Sequence, residues 1–194
     1  MTTDSHKAPE GFGKLAEPFV LGARTLRNRV VFPAMATGFG SPDGFLTERC
    51  VSYYLVRARG GAGTIIVEPA AVSPDGRITA NTLLFDDDKF TAMHARLCEL
   101  LHAEGAAVIL QLAHAGRKTS SHITGATPVA PSAECDPDFG ETPVALTAEH
   151  IDALVQAFAA AGRQTSELFA HCTAVPFCVG HAAPPTVHAC VHRL

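Results

Sequence analysis

Three times along the first 163 residues, a short continuous apolar run gives way to a stretch in which apolar residues recur every three or four positions. The runs are residues 28–36 (NRVVFPAMA), 63–72 (GTIIVEPAAV) and 106–114 (AAVILQLAH). The first two lead to the turn signals Ser41-Pro42-Asp43-Gly44 and Pro74-Asp75-Gly76, and all three read as buried strands. Each is followed by a helical pattern. Behind Thr47, a helix carries Val51, Tyr54, Leu55 and Ala58 at i, i+3, i+4 and i+7 and stops at Gly60-Gly61. A second follows Asp86-Asp87-Asp88 with Phe90, Met93, Leu97 and Leu100 on one face and ends at Gly105, and a third is capped by Thr147 and carries Ile151, Leu154, Val155 and Phe158.

Strands apolar on both faces, alternating with amphipathic helices, imply a parallel sheet covered by helices, as in an open doubly wound sheet or a (β/α)8 barrel. No GxGxxG follows any strand, which weakens the dinucleotide-binding open sheet. The connection over residues 116–146 is far longer than most β-α loops. In barrels such loops carry function at the C-terminal ends of the strands, so the strand-end polar residues Thr37, Glu68, Gln111, His114 and Arg117 become the candidates.

Gln111 interrupts an apolar strand, where neighbouring backbone or a ligand with donors and acceptors must satisfy its amide. Glu68 can serve as a general base, an interior hydrogen-bond acceptor or a partner for a basic residue. His114, Arg117 and Lys118 suit either an anion or polar ring edge, or a network anchoring the long loop.

Of the 194 residues, 47% are hydrophobic and 18% charged, enough apolar surface for one buried core. With 15 Lys+Arg against 19 Asp+Glu, the net charge of -4 offers no basic field for a nucleic acid. Residues 1–18 hold Asp4, Lys7, Glu10, Lys14 and Glu17 and no apolar core, so no signal peptide is predicted and a cytoplasmic location follows. The longest stretch free of Asp, Glu, Lys and Arg, residues 168–192, contains four His and three Pro, which disqualify it as a membrane span. Six scattered Cys read as thiols.

Only Glu167 and Arg193 among the charged residues follow Arg163. The chain therefore divides into residues 1–163 and an unrelated tail, residues 164–194, in which no helical or strand period is seen. The tail's Ala, Pro, His and Cys content is of the kind a shifted reading frame in a GC-rich gene produces. Its His171, Cys172, Cys178, His181, His188, Cys190 and His192 match no common zinc spacing, and no metal site is predicted.

NRVVFPAMATGFG (28–40), VEPAAVSPDGRIT (67–79) and QLAHAGRK (111–118), in this order, resemble the old yellow enzyme family of flavin oxidoreductases; VAPSA (129–133) and TPVALTAEHID (142–152) extend the likeness to about residue 163. The resemblance implies a (β/α)8 TIM barrel that binds FMN non-covalently, takes hydride from NAD(P)H and delivers it to the activated C=C bond of a small enone, enoate or dienoyl thioester. By motif, Pro33, Ala34, Met35 and Ala36 match the first-strand residues against the isoalloxazine, Pro69 a position beside its pyrimidine edge, and Gln111 the amide bonding that edge. Ala36 stands where many relatives have Thr or Cys, which leaves Thr37 as the neighbouring hydroxyl, and Pro69 has no N–H to donate. The family's fourth-strand His pair and proton-donating Tyr have no match after Arg163, so no catalytic residue is assigned. The chain thus reads as an incomplete N-terminal part of the barrel, about three β-α units with an irregular tail, impaired in catalysis. The alternative is a non-catalytic fragment that self-associates through unpaired edges of its first and third strands.

Overall fold

The computed structural model describes residues 11–22, 24–168 and 172–178. In chain order its elements are α1 (Gly13–Ala16), the antiparallel pair β1 (Phe19–Leu21) and β2 (Arg24–Leu26), β3 (Val31–Phe32), α2 (Glu48–Arg59), β4 (Thr64–Ala71), β5 (Leu83–Leu84), α3 (Thr91–Ala103), β6 (Ala107–His114), α4 (Ser121–Thr124), β7 (Val129–Ala130), β8 (Val144–Ala145), α5 (Ala148–Leu168) and β9 (Cys172–Cys178). The main sheet runs β3-β4-β6-β9, every pair parallel, with β5 added beside the end of β4. Among the described residues this sheet is open rather than closed into a barrel. No described helix is long and apolar enough to cross a membrane.

The core lies between sheet and helices. Ile65, Val67, Val108, Leu110 and Leu112 from the strands pack with Cys50, Tyr54 and Ala58 of α2, Leu97, Cys98 and Leu101 of α3, and Ala161 of α5. Continuous apolar runs are what such strands require, because one face meets the helices and neighbouring strands leave no edge in water. Thr47 caps α2 as its position predicts, its Oγ1 accepting the Cys50 N–H at 3.3 Å. Thr147 does the same for α5, accepting the His150 N–H at 3.3 Å.

Three boundaries differ from the sequence reading. Only Val31–Phe32 of the predicted residues 28–36 pair with β4. Asn28 is occupied otherwise, its Oδ1 accepting the Val30 N–H at 3.0 Å and its Nδ2 donating to the Gly61 carbonyl at 2.8 Å. Pro33 then lacks the N–H a ladder needs. On α3 the buried face is His94, Leu97, Cys98 and Leu101, while Leu100 is half-buried and Phe90 sits in the preceding 3-10 turn, fully buried. Asp87 builds that turn by accepting the Lys89 N–H at 2.9 Å.

The largest correction concerns the stretch after Arg163. Helix α5 continues through Gln164 to Leu168, and Cys172–Cys178, placed in the irregular tail by composition, forms a strand paired with all but the first residue of β6, from Val108↔Cys172 to His114↔Cys178. A parallel strand needs no charge and no alternation, so loss of charged residues does not mark loss of structure. The third predicted strand therefore has partners on both sides. His171, His181, His188, Cys190 and His192 lie outside the described residues.

Arg27 joins the C-terminal ends of two helices, donating to the Ala58 carbonyl in the last turn of α2 at 2.8 Å, to the Ala62 carbonyl after it at 2.7 Å and to the Glu104 carbonyl after α3 at 2.7 Å. It satisfies helix-terminal carbonyls with a cation, as the dipole favours.

Buried His94 donates from Nδ1 to the Phe90 carbonyl at 2.9 Å, and burial depresses its pKa to about 4. The unfolded chain accepts that proton near its ordinary value of about 6.5, so stability is complete above that pH and falls as the pH drops from there to 4, by up to about 3 kcal/mol. Urea unfolding at stepped pH should show this decline, and His94→Leu should flatten it.

Candidate functional site

A parallel sheet delivers the C-terminal ends of all its strands to one edge, and polar side chains there converge from segments distant in sequence. At this edge residues 33–37 extend from β3, Glu68 and Pro69 lie in β4, and Gln111 and His114 lie in β6. Between Val67↔Leu110 and Ala70↔Leu112 the register slips, so Glu68 and Pro69 together oppose Gln111. Such a bulge re-aims the side chains it contains.

Alternation along β6 sends Val108, Leu110 and Leu112 into the helix-covered core. Ala107, Ile109 and Gln111 on the other face are half-buried, as is Ile66 across the pairing. No described group bonds the Gln111 amide. On the far side of β4, past the end of β3, Met35 is 57% exposed, Pro33 and Ala36 are also exposed, and Ala34 is half-buried. Pro69 is buried. The residues singled out by motif thus lie at or just past the ends of three adjoining strands.

Glu68 turns the other way, toward α2. It is 1% exposed. One carboxylate oxygen accepts the Thr37 N–H at 2.9 Å, and the other accepts the Thr37 hydroxyl at 2.7 Å and lies 3.3 Å from both Cys50 Sγ and the Tyr54 hydroxyl. The Tyr54 oxygen in turn accepts the Glu68 N–H at 2.8 Å. Burial first, and then the negative carboxylate, push the Cys50 thiol and the Tyr54 phenol up, so both stay protonated as donors. Of the roles open to Glu68 in sequence, this is the acceptor, toward the helix layer and without a basic partner among the described residues. The Cys50 and Tyr54 parts of the cluster were not legible: each falls on a helical apolar stripe and reads as core. The Thr37 hydroxyl, the neighbour left beside Ala36, is committed to Glu68 and accepts the Phe39 N–H at 3.0 Å.

His114 is also buried. Its Nδ1 accepts the Gly116 N–H at 3.1 Å, which puts the proton on Nε2, facing an Asp75 oxygen at 3.7 Å. That gap exceeds a hydrogen bond, yet the imidazole is the main reason the Asp75 carboxyl is lowered to about 2. The close approach requires Gly76, where a Cβ would lie 2.6 Å from His114 Cδ2. Arg117 and Lys118 anchor the long loop: Lys118 Nζ lies 3.0 Å from Asp136 and 2.8 Å from Asp138, and Arg117 is within 3.6 Å of Asp136 and 3.5 Å of Glu134. Of the two readings of this basic cluster, the loop anchor is the one formed.

Residues 14–172 match the profile of the NADH:flavin oxidoreductase / NADH oxidase family. The chain is 42% identical over 140 residues to an NADH oxidase of Thermoanaerobacter brockii, covering 71% of this chain and 22% of that protein. It is 37% identical over 155 residues to an NADPH dehydrogenase of Bacillus subtilis, covering 79% and 45%. Among solved structures it superposes on an old yellow enzyme homologue from Zymomonas mobilis with a TM-score of 0.74 at 27% identity, over 80% of this chain and 46% of that one. On morphinone reductase the TM-score is 0.71 at 29% identity, over 79% and 45%. The chain thus spans less than half the length of these relatives, and its sheet corresponds to part of their TIM barrel.

Because Asp75 is depressed in the folded chain, its contribution to stability is present above its ordinary pKa near 4 and is lost as the pH falls toward 2. At 43% exposure solvent screens the pair, so the effect is small. Asp75→Asn should make the decline between pH 4 and pH 2 shallower in acid unfolding followed by circular dichroism.

Proposed function

This chain belongs to the NADH:flavin oxidoreductase / NADH oxidase family, and we propose that it binds FMN at the C-terminal ends of β3, β4 and β6 and serves hydride transfer from NAD(P)H to an activated C=C bond of a small enone, enoate or dienoyl thioester. The observation that carries this reading is the half-buried amide of Gln111, without a partner among the described residues, at the same sheet edge as the exposed residues 33–36 that follow β3. A carboxamide presents two N–H donors and a carbonyl acceptor, which complements the mixed donors and acceptors on the pyrimidine edge of an isoalloxazine.

When bound, the flavin supplies the ring that accepts and passes on hydride. The chain's own residues bind and orient. Pro33, Ala34, Met35 and Ala36 offer an apolar surface without bulky branches, and Ile66 and Ile109 line the same face of the sheet as Gln111. Donation from the Gln111 amide favours negative charge on a bonded ring. Ala36 brings no hydroxyl or thiol, the Thr37 hydroxyl is engaged by Glu68, and Pro69 has no N–H. Among the residues matched by motif, Gln111 is therefore the one whose side chain offers N–H donors and a carbonyl acceptor.

The open edge of β3 favours a second reading, self-association without turnover. Among the described residues no strand pairs with that edge, and Val30 and Val31 there are 43% and 49% exposed. Sedimentation velocity over a hundredfold concentration range distinguishes the two: association without flavin supports this reading, and a flavin-bound species that sediments identically at all concentrations removes it.

The test of the main reading is titration of the purified chain with FMN, followed by flavin fluorescence quenching and the visible absorbance of the complex. Saturable binding is expected, weakened about tenfold or more in Gln111→Leu, the equivalent of the lost hydrogen bonds. No uptake of FMN by the wild-type chain would overturn it.

A further inference from the structure

The segment proposed to face the flavin, residues 33–36, has almost no regular structure of its own: β3 ends at Phe32 and the next element begins at Glu48. Something else must fix its path. At its two ends Phe32 and Phe39 both pack edge-on against Tyr53 of α2, with ring centroids 5.9 and 5.6 Å apart. Aromatic contacts of this kind hold position loosely, since a ring can slide and tilt at little cost. Between them the Gly38 carbonyl accepts from Asn81 Nδ2 at 3.2 Å, and next to residues 33–36 stands the doubled attachment of Thr37, whose N–H and hydroxyl both donate to Glu68.

We propose that Glu68 is a positioning residue, whose buried carboxylate clamps the N–H and hydroxyl of Thr37 and thereby fixes residues 33–36 for a bound ring. Two donors on one residue received by two oxygens of one carboxylate define orientation as well as distance. The acceptor is itself immobile. Its backbone N–H is held by the Tyr54 oxygen, and Oε1 also faces the donors of Cys50 and Tyr54, so α2 anchors the clamp from behind. Through its place in the bulge Glu68 is bonded to Pro69 and lies opposite Gln111. One side chain thus ties the end of β3 to the β4-β6 pairing that carries the amide, two attachments that sequence separates by 31 residues.

This inference rests on the flavin reading for its consequence, and its test separates the two. Amide hydrogen exchange is measured on the flavin-free chain, and FMN affinity on the same preparations, for wild type, Glu68→Gln, Thr37→Val and Thr37→Ser. Glutamine keeps the length of the side chain and one acceptor oxygen, so the clamp is halved while the pocket stays filled. Exchange at Thr37 and Phe39 should speed up by about tenfold in Glu68→Gln while amides of Ile65 and Leu110 keep their protection, and FMN should bind about tenfold more weakly. Thr37→Val, which removes the hydroxyl alone, should weaken FMN binding to a lesser degree, and Thr37→Ser should restore it. Unchanged exchange at Thr37 in Glu68→Gln overturns the clamp. Faster exchange with unchanged FMN affinity overturns its role for the ring. A wild-type chain that takes up no FMN overturns the flavin reading instead, and the exchange result then decides the clamp alone.

Discussion

Strand β4 pairs with β3, β5 and β6, all parallel, and seven of its eight residues are buried. A strand so placed cannot leave a backbone group unpaired, because no water reaches it, and each neighbour must therefore take its register from it. The one irregularity in that ladder, the slip between Val67 and Ala70, is where the chemistry gathers. An extra residue in a ladder this constrained has to be held by contacts outside it. Glu68 is held by Tyr54, Cys50 and Thr37.

A carboxylate out of water is costly unless its oxygens are occupied, and four groups, two from Thr37 and two from α2, converge to occupy these. The same condition that makes Glu68 tolerable in the core makes it an organiser. It joins the helix layer to the sheet on one side and the unpaired end of β3 on the other. The site edge is correspondingly divided: Glu68 looks toward the helices and is fully engaged, while Gln111, directly across the bulge, looks away from them and has no partner among the described residues.

Much of this was legible along the chain. The second and third apolar runs, the Thr47 and Thr147 caps and the Gly60-Gly61 stop are local features, governed by propensity and by hydrogen bonds within a turn, and they fall where the structure has them. The motifs around Pro33, Pro69 and Gln111 lie on adjoining strands as their order implies. What pattern alone misplaced had causes that periodicity does not register. The end of β3 was decided by Asn28 bonding Gly61 and by the missing N–H of Pro33. The face of α3 was decided by a turn that takes Phe90 out of the helix. Strand β9 was hidden because a segment poor in charge and rich in Pro and His shows no period, yet it found pairing along β6.

By itself the sequence determined the order of strands and helices, the caps that bound them and the family to which the motifs belong, since each depends on neighbours within a few residues or on a fixed string of letters. The tertiary structure alone decided which of the strand-end polar groups are engaged and which are free. Thr37, Cys50, Tyr54 and Glu68 come from a loop, a helix and a strand, the first and the last 31 residues apart in sequence, and nothing in their spacing says they share one carboxylate. Hydrogen-bond satisfaction in a buried site is a property of what the fold brings within about 3 Å, and chain order does not contain that distance.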